Sequence, residues 1–134
     1  MNIIKGDDMV KKILCLFVLI ICFVLVGCSK THGTIEEITG VDFSKIDYIK
    51  TGSALHLKKG YDVGKFISEY KNLKYKKISG EYGSTAQVYF VCYDANDKVL
   101  FTLVEIGNQN KVFIKKGSFD INKDSSSSLY QLGY

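Results

Sequence analysis

The feature that most limits what this chain can fold into is an uncharged apolar stretch close to its start. The stretch runs from Ile13 to Val26, directly after Lys11 and Lys12. A helix of this length, at about 1.5 Å per residue, reaches about 21 Å, which is short of the roughly 30 Å hydrocarbon core of a bilayer. The stretch therefore predicts a signal-peptide helix rather than a transmembrane span, and the fold must be built from the remaining chain.

The stretch ends in Leu25-Val26-Gly27-Cys28. This junction, placed after two lysines and an apolar run, resembles the lipobox of bacterial lipoproteins. The resemblance covers only the first part of the chain. It implies recognition of Leu25, Val26 and Gly27 by the lipoprotein signal peptidase, cleavage before Cys28, and a diacylglyceryl thioether on Cys28. It also implies a mature protein anchored on the extracytoplasmic face of the membrane, because two acyl chains hold a protein stably. The alternative is an ordinary signal peptide with a cysteine by chance.

Acidic residues near the first methionine affect where translation is expected to start. Asp7 and Asp8 lie where a signal peptide carries positive charge, so we expect the start at Met9. The polar stretch after Cys28 predicts a lipidated tether, and the serine-rich end predicts a flexible tail. The expected organisation is a signal peptide (1–27), a tether (28–41), one domain (42–121) and a tail (122–134).

Hydrophobic periodicity within residues 42–121 predicts an α+β domain. One amphipathic helix is indicated by apolar residues at i, i+3, i+4 and i+7, and the other segments alternate as strands do. Short turn-rich links join them, which favours antiparallel neighbours. The expected architecture is an antiparallel meander with the helix packed across it, in the order β-β-α-β-β-β-β. The helix carries Val63, Phe66, Ile67 and Tyr70, and the strands are Ile46–Lys50, Ala54–Lys58, Leu73–Ile78, Ala86–Tyr93, Val99–Ile106 and Lys111–Lys116.

Both faces of this sheet are apolar in the sequence. The expected core packs the helix residues Phe66, Ile67 and Tyr70 against Val88, Phe90, Cys92, Phe101, Leu103, Val112 and Ile114. The opposite face contains Tyr89, Val91, Tyr93 and Val104. Two interpretations of that face remain open. Either another segment, such as the first hairpin or Phe119 and Ile121, covers it, which is the commoner outcome, or it is exposed and binds a partner.

The basic residues of the chain are all lysines, and arginine is absent. Without the guanidinium groups that bind phosphate and guanine bidentately, nucleic acid is not an expected partner. Lys71, Lys74, Lys76 and Lys77 form the most distinctive charged stretch. They could contact anionic lipid headgroups or wall polymers. The favoured interpretation is instead a solvated edge strand whose lysines prevent edge-to-edge aggregation.

Residues with catalytic or metal-binding chemistry are sparse. His56 is the one histidine of the predicted domain and Cys92 its one cysteine, and both lie in strand patterns. No hydrolase, nucleotide-loop or zinc motif occurs, so neither an enzyme, a cofactor nor a metal is expected.

The sequence favours a lipid-anchored, non-catalytic binding module for a protein or envelope ligand. Its size and composition resemble those of small lipoproteins of low-GC Gram-positive bacteria. The alternative is a surface self-protection lipoprotein that blocks a toxin, an enzyme or a phage, with only the second apolar sheet face to support it. A small envelope hydrolase is disfavoured, because it would need His56 or Cys92 in a cleft beside an acid or base.

Overall fold

The alternating segments of the chain assemble into one antiparallel β-sheet. The computed structural model describes residues 31–80 and 86–133. The predicted signal peptide, the start at Met9 and the lipobox with Cys28 lie outside these residues. In chain order the elements are β1 (His32–Thr34), α1 (Ile35–Thr39), a 3₁₀ turn (Phe43–Lys45), β2 (Tyr48–Ser53), β3 (His56–Tyr61), α2 (Val63–Tyr70), β4 (Lys74–Lys77), β5 (Gln87–Tyr93), β6 (Val99–Ile106), β7 (Asn108–Lys116), α3 (Ile121–Asp124) and β8 (Leu129–Leu132).

The strand order across the sheet is β1-β4-β8-β7-β6-β5-β2-β3. Strands β5, β6 and β7 form a central meander, in which Phe90 pairs with Leu103 and Leu103 pairs with Ile114. The β2–β3 hairpin extends one side through β2, which pairs with β5. On the other side β8 lies between β7 and β4, and β1 pairs with β4. The chain therefore crosses the sheet three times, between β1 and β2, between β3 and β4, and between β4 and β5.

The predicted amphipathic helix is confirmed as α2. Asp62 caps it by accepting a hydrogen bond from the Lys65 N–H at 3.0 Å, which satisfies a free donor of the first turn. Phe66 and Tyr70 are buried, and the Phe66 ring lies 5.6 Å from that of Phe90, centroid to centroid. The apolar stripe of α2 therefore packs on the sheet face that carries Phe90.

Most of the predicted core residues lie in the cluster beneath α2, with two exceptions. Ile67 packs against the cluster but is only partly buried. Val88 is 39% exposed and pairs with the half-buried Glu105 near the start of β5. The same cluster also contains eight buried residues that lie outside the predicted core: Ile35, Ile38, Val41, Phe43, Ile46, Ile49, Tyr75 and Tyr130.

The N-terminal segment from His32 to Val41 lies in the fold, where the sequence predicted a tether over 28–41. Thr34 and Glu37 form a capping box, since Glu37 N–H donates to the Thr34 hydroxyl at 3.3 Å and Thr34 N–H donates to Glu37 at 3.2 Å. The helix α1 that follows buries Ile35 and Ile38 completely or nearly so. The segment reads as polar because only one side of a one-turn helix faces the core.

The C-terminal segment likewise lies in the sheet, where the sequence predicted a tail over 122–134. Strand β8 pairs with both β7 and β4, and Leu129 and Tyr130 are buried. A four-residue strand carries too few alternations to be recognised from its own sequence. Its place comes from pairing with strands that are distant in the chain.

The predicted fold class, an α+β meander of six strands with one helix, is therefore wrong. Over residues 31–80 and 86–133 the structure contains eight strands in one antiparallel sheet, with three helices of four to eight residues. The fold is more β-rich than predicted, and its strand order is not a simple meander. The two additional strands are β1 and β8, the short terminal segments that the sequence assigned to a tether and a tail.

Candidate functional site

The sheet face opposite α2 carries the four residues predicted as a binding face. A second buried cluster lies there, built from Tyr89, Val104, Ile106, Phe113 and Leu129, with Leu57, Ile78 and Phe119 packed against it. Val104 is fully buried, and Tyr89 and Val91 are each 7% exposed. Of the four predicted residues, Tyr93 is the one that is half-buried. The centre of this face is therefore covered, which was the favoured of the two interpretations.

The cover comes from the loop between β7 and α3. Phe119 stacks on Phe113 with ring centroids 4.9 Å apart and meets Tyr89 edge-on at 6.2 Å. The Thr102 hydroxyl, itself buried, donates to the Gly117 carbonyl at 2.9 Å. This hydrogen bond fixes the loop over β6 and so places Phe119 on the sheet.

A cleft remains where this cover ends, and we call it the aromatic cleft. Its volume is about 190 Å³. Strands β5 and β6 form its floor, the β7–α3 loop forms one wall, and β3 contributes Leu57. The lining residues are Leu57, Tyr89, Val91, Tyr93, Val99, Thr102, Ser118 and Phe119. Three of the four predicted face residues thus line one concave surface, while Val104 lies beneath the cover.

Tyr48, Lys50 and Lys59 continue the surface beyond Tyr93. Tyr48 pairs with Tyr93 across β2 and β5, and their rings stack at 4.7 Å with an angle of 5° between planes. Lys59 Nζ lies 4.2 Å from the Tyr48 ring centroid, and Lys50 Nζ lies 5.2 Å from that of Tyr93. Ammonium groups within about 6 Å of a ring are attracted to its π-face. The stack is therefore a cationic and aromatic surface beside the aromatic cleft.

A turn holds the Tyr48 end of this stack. The Tyr48 hydroxyl donates to Asp97 Oδ1 at 2.8 Å, and this hydrogen bond raises the pKa of Tyr48 to about 12. Asp97 adopts a φ of 62°, which aspartate tolerates in a turn. Asp94 stabilises the same turn by accepting from the N–H groups of Asn96 and Lys98 at 2.8 and 3.0 Å. The turn between β5 and β6 therefore orients the tyrosine ring.

Sequence reasoning missed Tyr48, Lys50 and Lys59 as parts of this surface. The predicted strand began at Ile46, whereas the strand in the structure begins at Tyr48 and buries its next residue, Ile49, in the core. The alternation Tyr48-Ile49-Lys50 carries the signal, because side chains at i and i+2 share a face. Knowing that Tyr48 lies opposite Tyr93 requires the β2–β5 register.

Cys92 and His56 lie in different surroundings. Cys92 is fully buried, and burial raises the pKa of its thiol, which keeps it protonated. His56 is exposed and pairs with Ser53, whereas Cys92 pairs with Ile49. Ser53 and Ile49 are four residues apart on β2, so His56 and Cys92 are offset by about 13 Å along the strand direction. These two residues therefore do not form a thiolate–imidazole pair.

The four predicted surface lysines separate into two groups. Lys71 ends α2 on the helical side of the sheet. Lys74, Lys76 and Lys77 are exposed on β4, which is paired on both sides, with β1 and with β8. The favoured interpretation of these lysines as protection of an edge strand therefore does not hold, because β1 and β3 form the edges.

The part of the chain that the structure describes holds neither a candidate metal site nor a candidate membrane-spanning helix. In residues 31–80 and 86–133, no three or more His, Cys, Asp or Glu side chains are grouped to hold a metal ion. Within the same ranges, no helix combines the length and apolarity required to cross a bilayer.

Comparison with known proteins returned no match. No protein-family model matches the chain, and neither a curated protein nor a solved structure is significantly similar to it.

Proposed function

We propose that this chain is a lipid-anchored extracytoplasmic protein that binds a partner through the aromatic cleft without catalysing a reaction. The anchor is supported by Leu25-Val26-Gly27-Cys28 after a dilysine and an apolar stretch. The binding role is supported by one observation above the others, the aromatic cleft beside the Tyr48–Tyr93 stack. Tyrosine is enriched where proteins bind partners, because its ring is both apolar and able to form hydrogen bonds.

The size of the aromatic cleft indicates what it can hold. Small-molecule sites usually enclose about 300–1,000 Å³, whereas this cleft measures about 190 Å³. It is large enough for one side chain or one sugar ring of a larger partner. The exposed Ser118 hydroxyl offers a hydrogen bond at its wall, whereas the Thr102 hydroxyl already donates to Gly117, and Lys50 and Lys59 favour a negatively charged group nearby. We therefore propose an envelope protein or an anionic wall polymer as the partner.

The self-protection alternative loses its specific support. It depended on an open apolar sheet face, and the centre of that face is buried under Phe119. The hydrolase alternative required His56 or Cys92 in a cleft beside an acid or base, and neither residue lines the aromatic cleft. The non-catalytic binding role is therefore the proposal that the described residues support best.

The lipid anchor is tested by metabolic labelling with a palmitate analogue. We expect label in the wild-type protein and none in Cys28→Ser, together with accumulation of the uncut precursor when globomycin is added. An unlabelled wild-type protein would refute the anchor.

The aromatic cleft is tested by filling it rather than by removing its rings, which also pack the fold. Ser118→Trp places a large side chain in the cleft from an exposed position, and Ser126→Trp is the matched control at an exposed position outside it. The purified variants are immobilised, and bound species from envelope extracts are quantified by mass spectrometry. We expect Ser118→Trp to lose the species that wild type and Ser126→Trp retain. Identical binding by both variants would contradict a role for the cleft.

A further inference from the structure

A row of polar and basic side chains crosses the sheet close to the start of the described chain, and we call it the basic row. His32 pairs with Lys76, Lys76 pairs with Gln131, and Gln131 pairs with Lys111. Directly paired residues in a sheet point to the same face. All four side chains are exposed, and none is a carboxylate. The basic row is therefore a continuous polar strip across β1, β4, β8 and β7, with positive charge at Lys76 and Lys111 and no negative charge within it.

Lys74 extends the basic row along β4. It lies two residues before Lys76, so both point to the same face, and it pairs with Thr34 of β1. The acidic residues of α1 lie away from this face: Glu37 packs against Gly33, which pairs with the buried Tyr75 of the opposite face, and Glu36 accepts from the Phe43 N–H at 3.1 Å. The three lysines Lys74, Lys76 and Lys111 therefore supply the charge of this surface.

A shallow groove lies at the β1 end of the basic row. Its volume is about 250 Å³, and its lining residues are Thr31, His32, Lys76 and Lys77. The Lys77 N–H donates to the Thr31 carbonyl at 2.8 Å, which fixes the start of the described chain beside β4. A groove with lysines and a histidine in its wall suits a phosphate group.

The position of Cys28 in the chain places this surface close to the anchor. Only Ser29 and Lys30 separate Cys28 from Thr31 in the sequence, and three extended residues span at most about 11 Å. This reach is comparable to the Debye length of about 8–10 Å at physiological salt. A membrane that holds the lipid of Cys28 therefore lies within electrostatic range of the β1 end of the basic row.

We propose that the basic row, with Lys74 and the adjoining groove, rests on the anionic phosphate headgroups of the membrane in which the protein is anchored. This inference rests on the proposed lipid anchor, and it adds a defined orientation of the domain on the membrane surface. A lysine near an anionic surface contributes about 1 kcal/mol, which is about a fivefold change in an equilibrium. Lys74, Lys76 and Lys111 together favour the docked orientation by about 100-fold.

The orientation is tested on the purified lipidated protein in vesicles. Phosphatidylcholine vesicles with and without phosphatidylglycerol are compared, and the acylation rate of each lysine is followed by mass spectrometry. We expect Lys74, Lys76 and Lys111 to react more slowly when phosphatidylglycerol is present, and Lys58 and Lys98 to react equally in both vesicles. Lys58 lies on the opposite edge strand and Lys98 in the β5–β6 turn. Equal rates for the basic row in both vesicles would overturn the orientation.

Two matched double variants separate the basic row from general charge. Lys74→Gln/Lys76→Gln removes two charges from the row, and Lys58→Gln/Lys98→Gln removes two charges elsewhere. We expect the first pair to lower the docked-to-undocked ratio about 30-fold, from about 100 to about 3, read as a large drop in the protection of Lys111, and the second pair to retain the protection seen in wild type. Protection of Lys111 in the first pair equal to that of wild type would overturn the proposal.

The mass of the Cys28 peptide distinguishes the two proposals. A peptide without lipid overturns the proposed anchor and with it the orientation. A lipidated peptide combined with unprotected lysines overturns the orientation alone.

Discussion

Replacing Ile35 with alanine tests whether the segment after Cys28 belongs to the fold. Ile35 is fully buried in the core beneath α2. The change removes three carbons, worth about 0.8 kcal/mol each, and the cavity left behind adds to the loss. The higher helix propensity of alanine offsets only a few tenths of a kcal/mol. We expect the free energy of unfolding to fall by about 3 kcal/mol.

The matched control is Leu55→Ala, which also removes three carbons but at a side chain that is 89% exposed. We expect this change to alter the free energy of unfolding by less than about 0.5 kcal/mol. Both variants are measured by urea denaturation, followed by the fluorescence of the tyrosines. With an m value of about 1.5 kcal/mol/M, Ile35→Ala lowers the midpoint by about 2 M. A shift no larger than that of Leu55→Ala would refute the packing of α1 and support a tether.

Two further predictions concern buried ionisable groups. Burial raises the pKa of the Cys92 thiol above 9.0, so above that pH the unfolded chain releases a proton that the folded chain retains. The free energy of unfolding should then fall as the pH rises above about 9, by up to about 1.4 kcal/mol per pH unit. In Cys92→Ala, the free energy of unfolding measured by urea titration should fall less steeply with pH. The Tyr75 hydroxyl is buried without a hydrogen-bond partner among the described residues, so Tyr75→Phe should raise the free energy of unfolding by about 1 kcal/mol. The control Tyr61→Phe, which loses a 3.1 Å hydrogen bond, should lower it; equal effects in thermal denaturation would contradict this reasoning.

The longer elements could be predicted because each carries its own pattern. Helix α2 shows a 3.6-residue stripe, and β5 and β6 alternate or are apolar over seven and eight residues. The pairing of β4 with β8 could not be read in this way, because it joins strands more than fifty residues apart. Short strands contribute few residues to any pattern, and their position is determined by the neighbours with which they pair.

The N-terminal error had a readable signal. Thr34-Ile35-Glu36-Glu37 is a capping-box sequence, and Gly40 follows as the left-handed residue that ends α1, with a φ of 71°. A polar composition outweighed that local signal in the prediction of a tether. Capping residues therefore identify a one-turn helix better than its average hydropathy does.

The candidate site was predictable only in part, for a related reason. Alternation correctly placed Tyr89, Val91 and Tyr93 on one face, since they are two residues apart on one strand. Whether that face is open depends on Phe119, which reaches it from a loop. The stack of Tyr48 on Tyr93 depends on a register between strands that are distant in the chain.

The proposed membrane contact and the aromatic cleft lie on the same face of the sheet, which raises the question of whether one blocks the other. Four strand spacings separate β4 from β5, about 19 Å. Adjacent strands are rotated by about 20–25°, so the face at β5 is turned by about 80–100° from the face at β4. When Lys76 faces the headgroups, the cleft at Tyr93 therefore opens roughly parallel to the membrane surface. A partner in the envelope can reach it from the side while the basic row stays docked.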